Sequence, residues 1–119
     1  MTPPLTYRLE GAIAPKARPR FNGKNAYLPN NYRQWRNDAE LQLIAQGIPI
    51  TPIEKACVEI VLTGKHSRRS DADNVAGSIL DCLVSVGVFQ NDNLNSIPKM
   101  SIELQYSKES PIALITIKD

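Results

Sequence analysis

Histidine and tryptophan each occur once in this 119-residue chain, and cysteine twice. These scarcities remove several chemistries. Cys57 and Cys82 lie far apart and fit no zinc-ligand spacing. Each stands in an apolar run, so two buried free thiols are expected. His66 is alone in a basic loop; a phosphate contact is open to it, but an idle surface position is expected. Gly64-Lys65 lacks the further glycines of a phosphate-cradling loop. No apolar run is long enough to cross a bilayer. The opening "MTPPLTYRLE" has no basic stretch leading into an apolar one. A soluble, cytoplasmic protein with no membrane partner is expected.

Acidic residues are missing from Pro15 to Asn37, a window that holds Lys16, Arg18, Arg20, Lys24, Arg33 and Arg36. With Lys65, Arg68 and Arg69, nine of the fourteen Lys and Arg fall in two short windows, although the net charge is only +2. Positive charge gathered in this way suits a face that binds a polyanion. A solvated loop and helix face is the plain alternative.

Internal repeats, low-complexity tracts and domain linkers are also absent, so residues 1–119 read as one domain. At 42% apolar and 22% charged residues the chain is ordinary for a globular protein, which argues against disorder. Leu5, Tyr7 and Leu9 alternate with polar residues as in a strand. "APKARPRFNGKNAYLPN" reads as a loop or distorted hairpin, because proline and glycine interrupt it. A helix is predicted from Asn30 to about Gln46, with Trp35, Ala39 and Leu43 on its buried stripe, widened by Leu41, Ile44 and Ile48. "KACVEIVLTG" is the clearest strand, with Val58, Ile60 and Leu62 on one face. A second helix is predicted from about Asp73 to Val86, capped by Asp73 or Ser70 and ended at Gly87. "SIELQYS" and "IALITIK" read as an antiparallel hairpin about the "KESP" turn. The expected fold is α+β, order β-α-β-α-β-β, with two helices packed on one face of a mixed sheet. The other face is left as a dimer or ligand surface.

The chemistry concentrates in "GKHSRRSDADNVAGSILDCLVSVGVFQND". Three cations run directly into Asp71 and Asp73, and Asp92 follows the second helix. Carboxylates two apart in an extended segment point the same way. Asp92 approaches them only if the chain returns beside the helix. Three converging carboxylates repel one another and need a cation. Hard oxygen donors favour Mg²⁺, with Mn²⁺ as the alternative, and such a metal takes substrate phosphate as a further ligand. Lys65, Arg68 and Arg69 would then hold a nucleic-acid backbone. The plain alternatives are a helix cap for Asp73 and an ion pair with Arg68 or Arg69 for Asp71. A calcium loop is disfavoured, since a loop counted from Asp71 places Val75 and Ala76 where an oxygen ligand and a glycine belong.

"DADNVAGSILDCL" followed by "VGVFQNDN" resembles the RusA family of Holliday junction resolvases. The likeness is to its Asp-x-Asp-Asn-Leu-x-Lys helix start, its Asp-Ala-Leu helix body and the Asp after the glycine turn. "PKARPRF" and "YLPNNYRQW" are similar to the N-terminal part of many members. The resemblance covers nearly the whole chain. It implies a single RusA-like endonuclease domain: a homodimeric, Mg²⁺-dependent endodeoxyribonuclease that nicks four-way DNA junctions symmetrically in recombination and repair. By the same resemblance Asp71, Asp73 and Asp92 are catalytic and metal-binding. Lys16, Arg18, Arg20, Lys65, Arg68 and Arg69 are the expected DNA contacts, Asn74 is a supporting residue, and no small-molecule cofactor is implied. Two positions depart from the pattern. Gly77 stands in place of the family lysine, with Lys99 and Lys65 as candidate substitutes, and Asn91 replaces a frequent acidic residue. The rival readings are a junction-binding protein with weak or lost cleavage and a metal-dependent nuclease of other branched DNA.

Overall fold

The computed structural model describes residues 4–16, 20–22, 25–27 and 30–118, the two short segments by backbone alone. In chain order the elements are β1 (Leu5–Glu10), β2 (Arg20–Asn22), β3 (Asn25–Tyr27), α1 (Asn30–Gln46), β4 (Cys57–Gly64), α2 (Ala72–Ser85), β5 (Met100–Tyr106) and β6 (Ile112–Lys118). β2 and β3 form a small antiparallel hairpin inside the proline-broken segment. Without it, the order is the expected β-α-β-α-β-β.

Period-two alternation makes the main sheet one-sided. Tyr7 and Leu9 of β1, Val58, Ile60 and Leu62 of β4, and Ala113, Ile115 and Ile117 of β6 are buried. They share one core with Ala39 and Leu43 of α1 and with Val75, Ile79, Cys82 and Leu83 of α2. Both helices therefore cover the same face. On the opposite face Lys118 and Glu59 pair across strands at 3.2 Å, and both are about half exposed, as suits a solvated surface. The α1 stripe differs from expectation. Leu41 and Ile44 are exposed, and Tyr32 is buried in their stead. The contact strip runs through Tyr32, Trp35, Ala39 and Leu43, narrower and shifted toward the N-terminus. No helix is long and apolar enough to cross a membrane among the described residues.

The expected β5–β6 hairpin does not form. The sheet order is β1-β6-β4-β5. β5 pairs parallel to β4, and β6 lies antiparallel between β1 and β4. The cause is α2, which acts as a crossover and returns the chain to the start of β4. β6, with Ala113, Ile115 and Ile117 inward, takes a central place. β5, with Ser101, Glu103 and Gln105 on alternate positions, stays at the edge. The β5–β6 connection must then pass over the end of β4. Gly64 makes that passage, at φ +91°. A Cβ on it would lie 2.3 Å from the Ser110 carbonyl oxygen. The Lys65 N–H donates to Glu109 O at 2.9 Å and the Ser107 N–H to Gly64 O at 3.2 Å, tying the loop after β4 to the β5–β6 turn.

The free edge of β1 is closed by side chains. The Gln46 amide exchanges hydrogen bonds with Arg8 N–H (2.8 Å) and C=O (2.7 Å). Gln42 does the same with Glu10, at 2.7 and 3.1 Å. Both glutamines lie one turn apart on α1, so a single helix satisfies the exposed ladder groups.

Candidate active site

β4 ends at Gly64, the basic loop follows, and α2 begins at Ala72. Asp71 holds the N-cap position with extended backbone (φ −67°, ψ 131°), and Asp73 lies in the first turn. The cap is thus neither Asp73 nor Ser70. Asp71's carbonyl accepts the first helical hydrogen bond, from Val75 N–H at 3.0 Å. Its carboxylate makes no capping bond. Asn74 Nδ2 approaches that carboxylate at a long 3.5 Å. Asp71, Asp73 and Asp92 are all exposed, and none forms an ion pair among the described residues. Both plain alternatives, a cap by Asp73 and an ion pair by Asp71, are therefore unused. A helix N-terminus favours negative side chains, so two carboxylates are held there without being neutralised.

Asp92 stands at the other end of α2. The helix closes at Val86 and Gly87, and Phe89 bridges to Ile53. Asn91 Oδ1 then accepts the N–H groups of Asp92 and Asn93 at 2.8 and 3.2 Å, a local turn that presents Asp92. The chain returns toward Asp71 only later, along β5, which starts at Met100 beside Val58. Fourteen helical residues span about 21 Å, so the two ends of α2 are well separated. Among the described residues no group of three or more histidine, cysteine, aspartate or glutamate side chains is placed to hold a metal ion. Lys99 belongs to the Asp92 end; its carbonyl accepts the Val58 N–H at 3.0 Å. Lys65 belongs to the Asp71 end.

Lys65, Arg68 and Arg69 line an open bowl of about 670 Å³ together with His66, Ser67 and Tyr106. All three cations are exposed. His66 corrects the expectation of an idle surface residue. It is 5% exposed, and its Nε2 lies 3.0 Å from the Ile112 carbonyl oxygen, so it pins the basic loop to β6. Tyr106 was not among the sequence candidates. It ends β5 opposite Gly64, and the Arg68 guanidinium lies 4.0 Å from its ring centroid. Only the parallel pairing of β5 with β4 brings it to the loop, and no local sequence signal contains that pairing.

Lys16 reaches α2 as well. Its N–H donates to Asn74 O at 2.9 Å, and its Nζ pairs with Asp81 at 3.4 Å. Between those points its Cδ lies 3.4 Å from where a Gly77 Cβ would stand. A lysine stem thus lies across the position of the missing family lysine, supplied by the N-terminal segment. Arg18 lies outside the described residues, and Arg20 is described only as backbone of β2. Cys57 is half-buried and Cys82 buried. Cys57 departs from the expected pair of buried thiols because it faces the outer side of β4 with Glu59 and Val61.

Among the curated proteins none matches this chain. The family model described as "Endodeoxyribonuclease RusA" matches residues 10–118. The matched stretch contains the basic N-terminal segment, the bowl, both ends of α2 and the whole sheet after β1. The chain therefore belongs to the RusA endodeoxyribonuclease family.

Proposed function

We propose that this protein is a Mg²⁺-dependent, structure-selective endodeoxyribonuclease. It resolves four-way DNA junctions by paired symmetric nicks, as a cytoplasmic homodimer serving recombination and repair. One observation carries the reading beyond family membership. Asp71 and Asp73 stand exposed, uncapped and unpaired at the start of α2, directly after a loop with three exposed cations. Carboxylates in that state repel each other, and the helix N-terminus offsets only part of that cost. A site that brings a divalent cation and a phosphodiester together uses both groups.

The donor set fits a hard cation. Asp71 and Asp73 offer carboxylate oxygens, and Asp92 supplies a third. Mg²⁺, or Mn²⁺ in its place, would polarise the scissile phosphate and lower the pKa of a bound water when present. Lys65, Arg68 and Arg69 bind the strand backbone and set its register. Asn74, one turn from Asp71, lies within reach to orient that carboxylate when a metal is bound. Within one chain Asp92 sits at the wrong end of α2, so a three-carboxylate site needs a second copy with its α2 reversed. A two-fold dimer supplies that reversal twice, which also matches two nicks related by symmetry.

A labelled four-way junction, incubated with and without Mg²⁺, tests the reading. Paired nicks near the crossover, only with metal, are expected. Cutting confined to flaps or forks would replace junctions by another branched substrate. A gel shift without cutting would identify a junction-binding protein that has lost cleavage. That second reading draws on Gly77 and on Lys16, whose amine is engaged by Asp81.

A further inference from the structure

The bowl beside α2 contains a group that phosphate binding alone does not use. Tyr106 is 38% exposed at the end of β5, the exposed edge strand of the sheet. Its ring lies among Lys65, Arg68 and Arg69, and one face is covered by the Arg68 guanidinium at 4.0 Å. No carboxylate lines the bowl.

The bowl is also held in shape. Gly64 at its root cannot carry a side chain against Ser110. Lys65 N–H is bonded to Glu109 O, and Ser107 N–H to Gly64 O. The buried His66 ring is fixed on Ile112 O. The basic loop is thus joined to the β5–β6 turn and to the start of β6, just beyond Tyr106.

We propose that Tyr106 is a stacking platform for one unpaired or terminal nucleobase whose phosphates lie on Lys65, Arg68 and Arg69. The inference rests on the nucleic-acid reading above and names a site within it. A protein partner would not favour three desolvated cations without a carboxylate. A phosphate alone would use the ring only to seat Arg68. A nucleotide uses both, because every base has a π-face and every base carries its phosphate nearby. Bases inside a duplex have both faces stacked, so the platform selects a base freed at a branch point or strand end. In the free protein Arg68 covers the ring by a cation–π contact. A strand phosphate draws Arg68 away, and the base takes the vacated face.

The test uses a four-way junction carrying 2-aminopurine at successive positions around the crossover, together with a labelled single-stranded oligonucleotide and a plain duplex. All are measured in EDTA, so that cleavage plays no part. With the wild-type chain, 2-aminopurine emission is expected to fall at one crossover position and in the single strand. Tyr106→Leu should remove that change and weaken binding to both by about tenfold, while duplex affinity stays the same. Tyr106→Trp and Tyr106→Phe should keep the quench, which excludes a general loss of fold. If the junction is bound and Tyr106→Leu alters neither quench nor affinity, the platform is refuted. If the wild type shows no preference for the junction but stacks the single strand through Tyr106, the junction reading falls and the platform stands.

Discussion

Asp71 and Asp73 carry charge without an ion pair among the described residues, so replacing them by the isosteric amide costs the fold little beyond their favourable place at a helix N-terminus. Asp71→Asn, Asp73→Asn and Asp92→Asn are each expected to abolish metal-dependent nicking while junction binding persists or tightens, as gel shift and cleavage on one substrate would show. Full cleavage by any of the three would remove that residue from the proposed metal site. The thiols also separate. Burial pushes the Cys82 thiol up to about 12, with Glu40 adding to the shift. Its neutral form therefore persists through pH 7 to 9, and the thiolate that reacts is scarce. A disulfide exchange reagent at pH 8 is expected to titrate one thiol per chain, Cys57, and to reach Cys82 only after denaturant. Rapid modification of two thiols in the native protein would contradict the burial. Gly77 is a third case. Glycine inside a helix costs about 1 kcal/mol against alanine, and a Cβ there meets only the flexible Lys16 stem. Gly77→Ala should thus raise thermal stability slightly. Gly77→Lys must displace Lys16, which releases it from Asp81. A faster single-turnover rate in Gly77→Lys but not in Gly77→Ala would show that a cation at this point on α2 assists the chemistry.

At the scale of elements, two connections decide the sheet. The β5–β6 turn crosses the end of β4 over Gly64, where the positive φ and the Ser110 carbonyl both forbid a side chain. Gly64→Ala combines left-handed strain of about 1–2 kcal/mol with a backbone clash, so a large fall in melting temperature is expected. It would also loosen the basic loop that the same hydrogen bonds hold. The other connection is α1 to β1. Gln42 and Gln46 each close two ladder groups of an edge strand. Gln42→Ala with Gln46→Ala is expected to cost about 1 kcal/mol per lost bond at most. It also exposes Arg8 and Glu10 to pairing with other chains. Denaturant melting with light scattering would show lower stability together with aggregation; unchanged melting would mean that water replaces the glutamines without cost.

For the whole molecule, the separation of Asp92 from Asp71 along α2 means that the proposed three-carboxylate site requires assembly of two copies. Light scattering is expected to give twice the 13.2 kDa chain mass. A sharper check mixes the inactive Asp71→Asn and Asp92→Asn proteins. If each site takes Asp71 and Asp73 from one copy and Asp92 from the other, a mixed dimer contains one intact site, and single nicks reappear on mixing. No recovery after subunit exchange would place all three carboxylates of a site on one chain. Binding should weaken with salt, and each of Arg68 and Arg69 neutralised should lower the log–log slope by about 1.

The sequence by itself determined the elements, because each is written in local periodicity. The spacing by four of Val75, Ile79 and Leu83 required α2, and the alternation of Val58, Ile60 and Leu62 required a one-sided β4. It also determined the acidic motif, the basic windows and the family likeness, since those are contiguous residues. Strand partners were not contained there. "SIELQYS" and "IALITIK" look like a hairpin because a short turn joins them, yet the α2 crossover lays β5 against β4 and sends β6 to the centre. Two features followed from that one non-local choice. Tyr106 went to the rim of the basic loop, and His66 turned inward onto Ile112. The seat of Lys16 on Gly77 was equally hidden, because the two are sixty-one positions apart. Local pattern fixes which face a side chain takes, but only packing decides which distant segment lies opposite it.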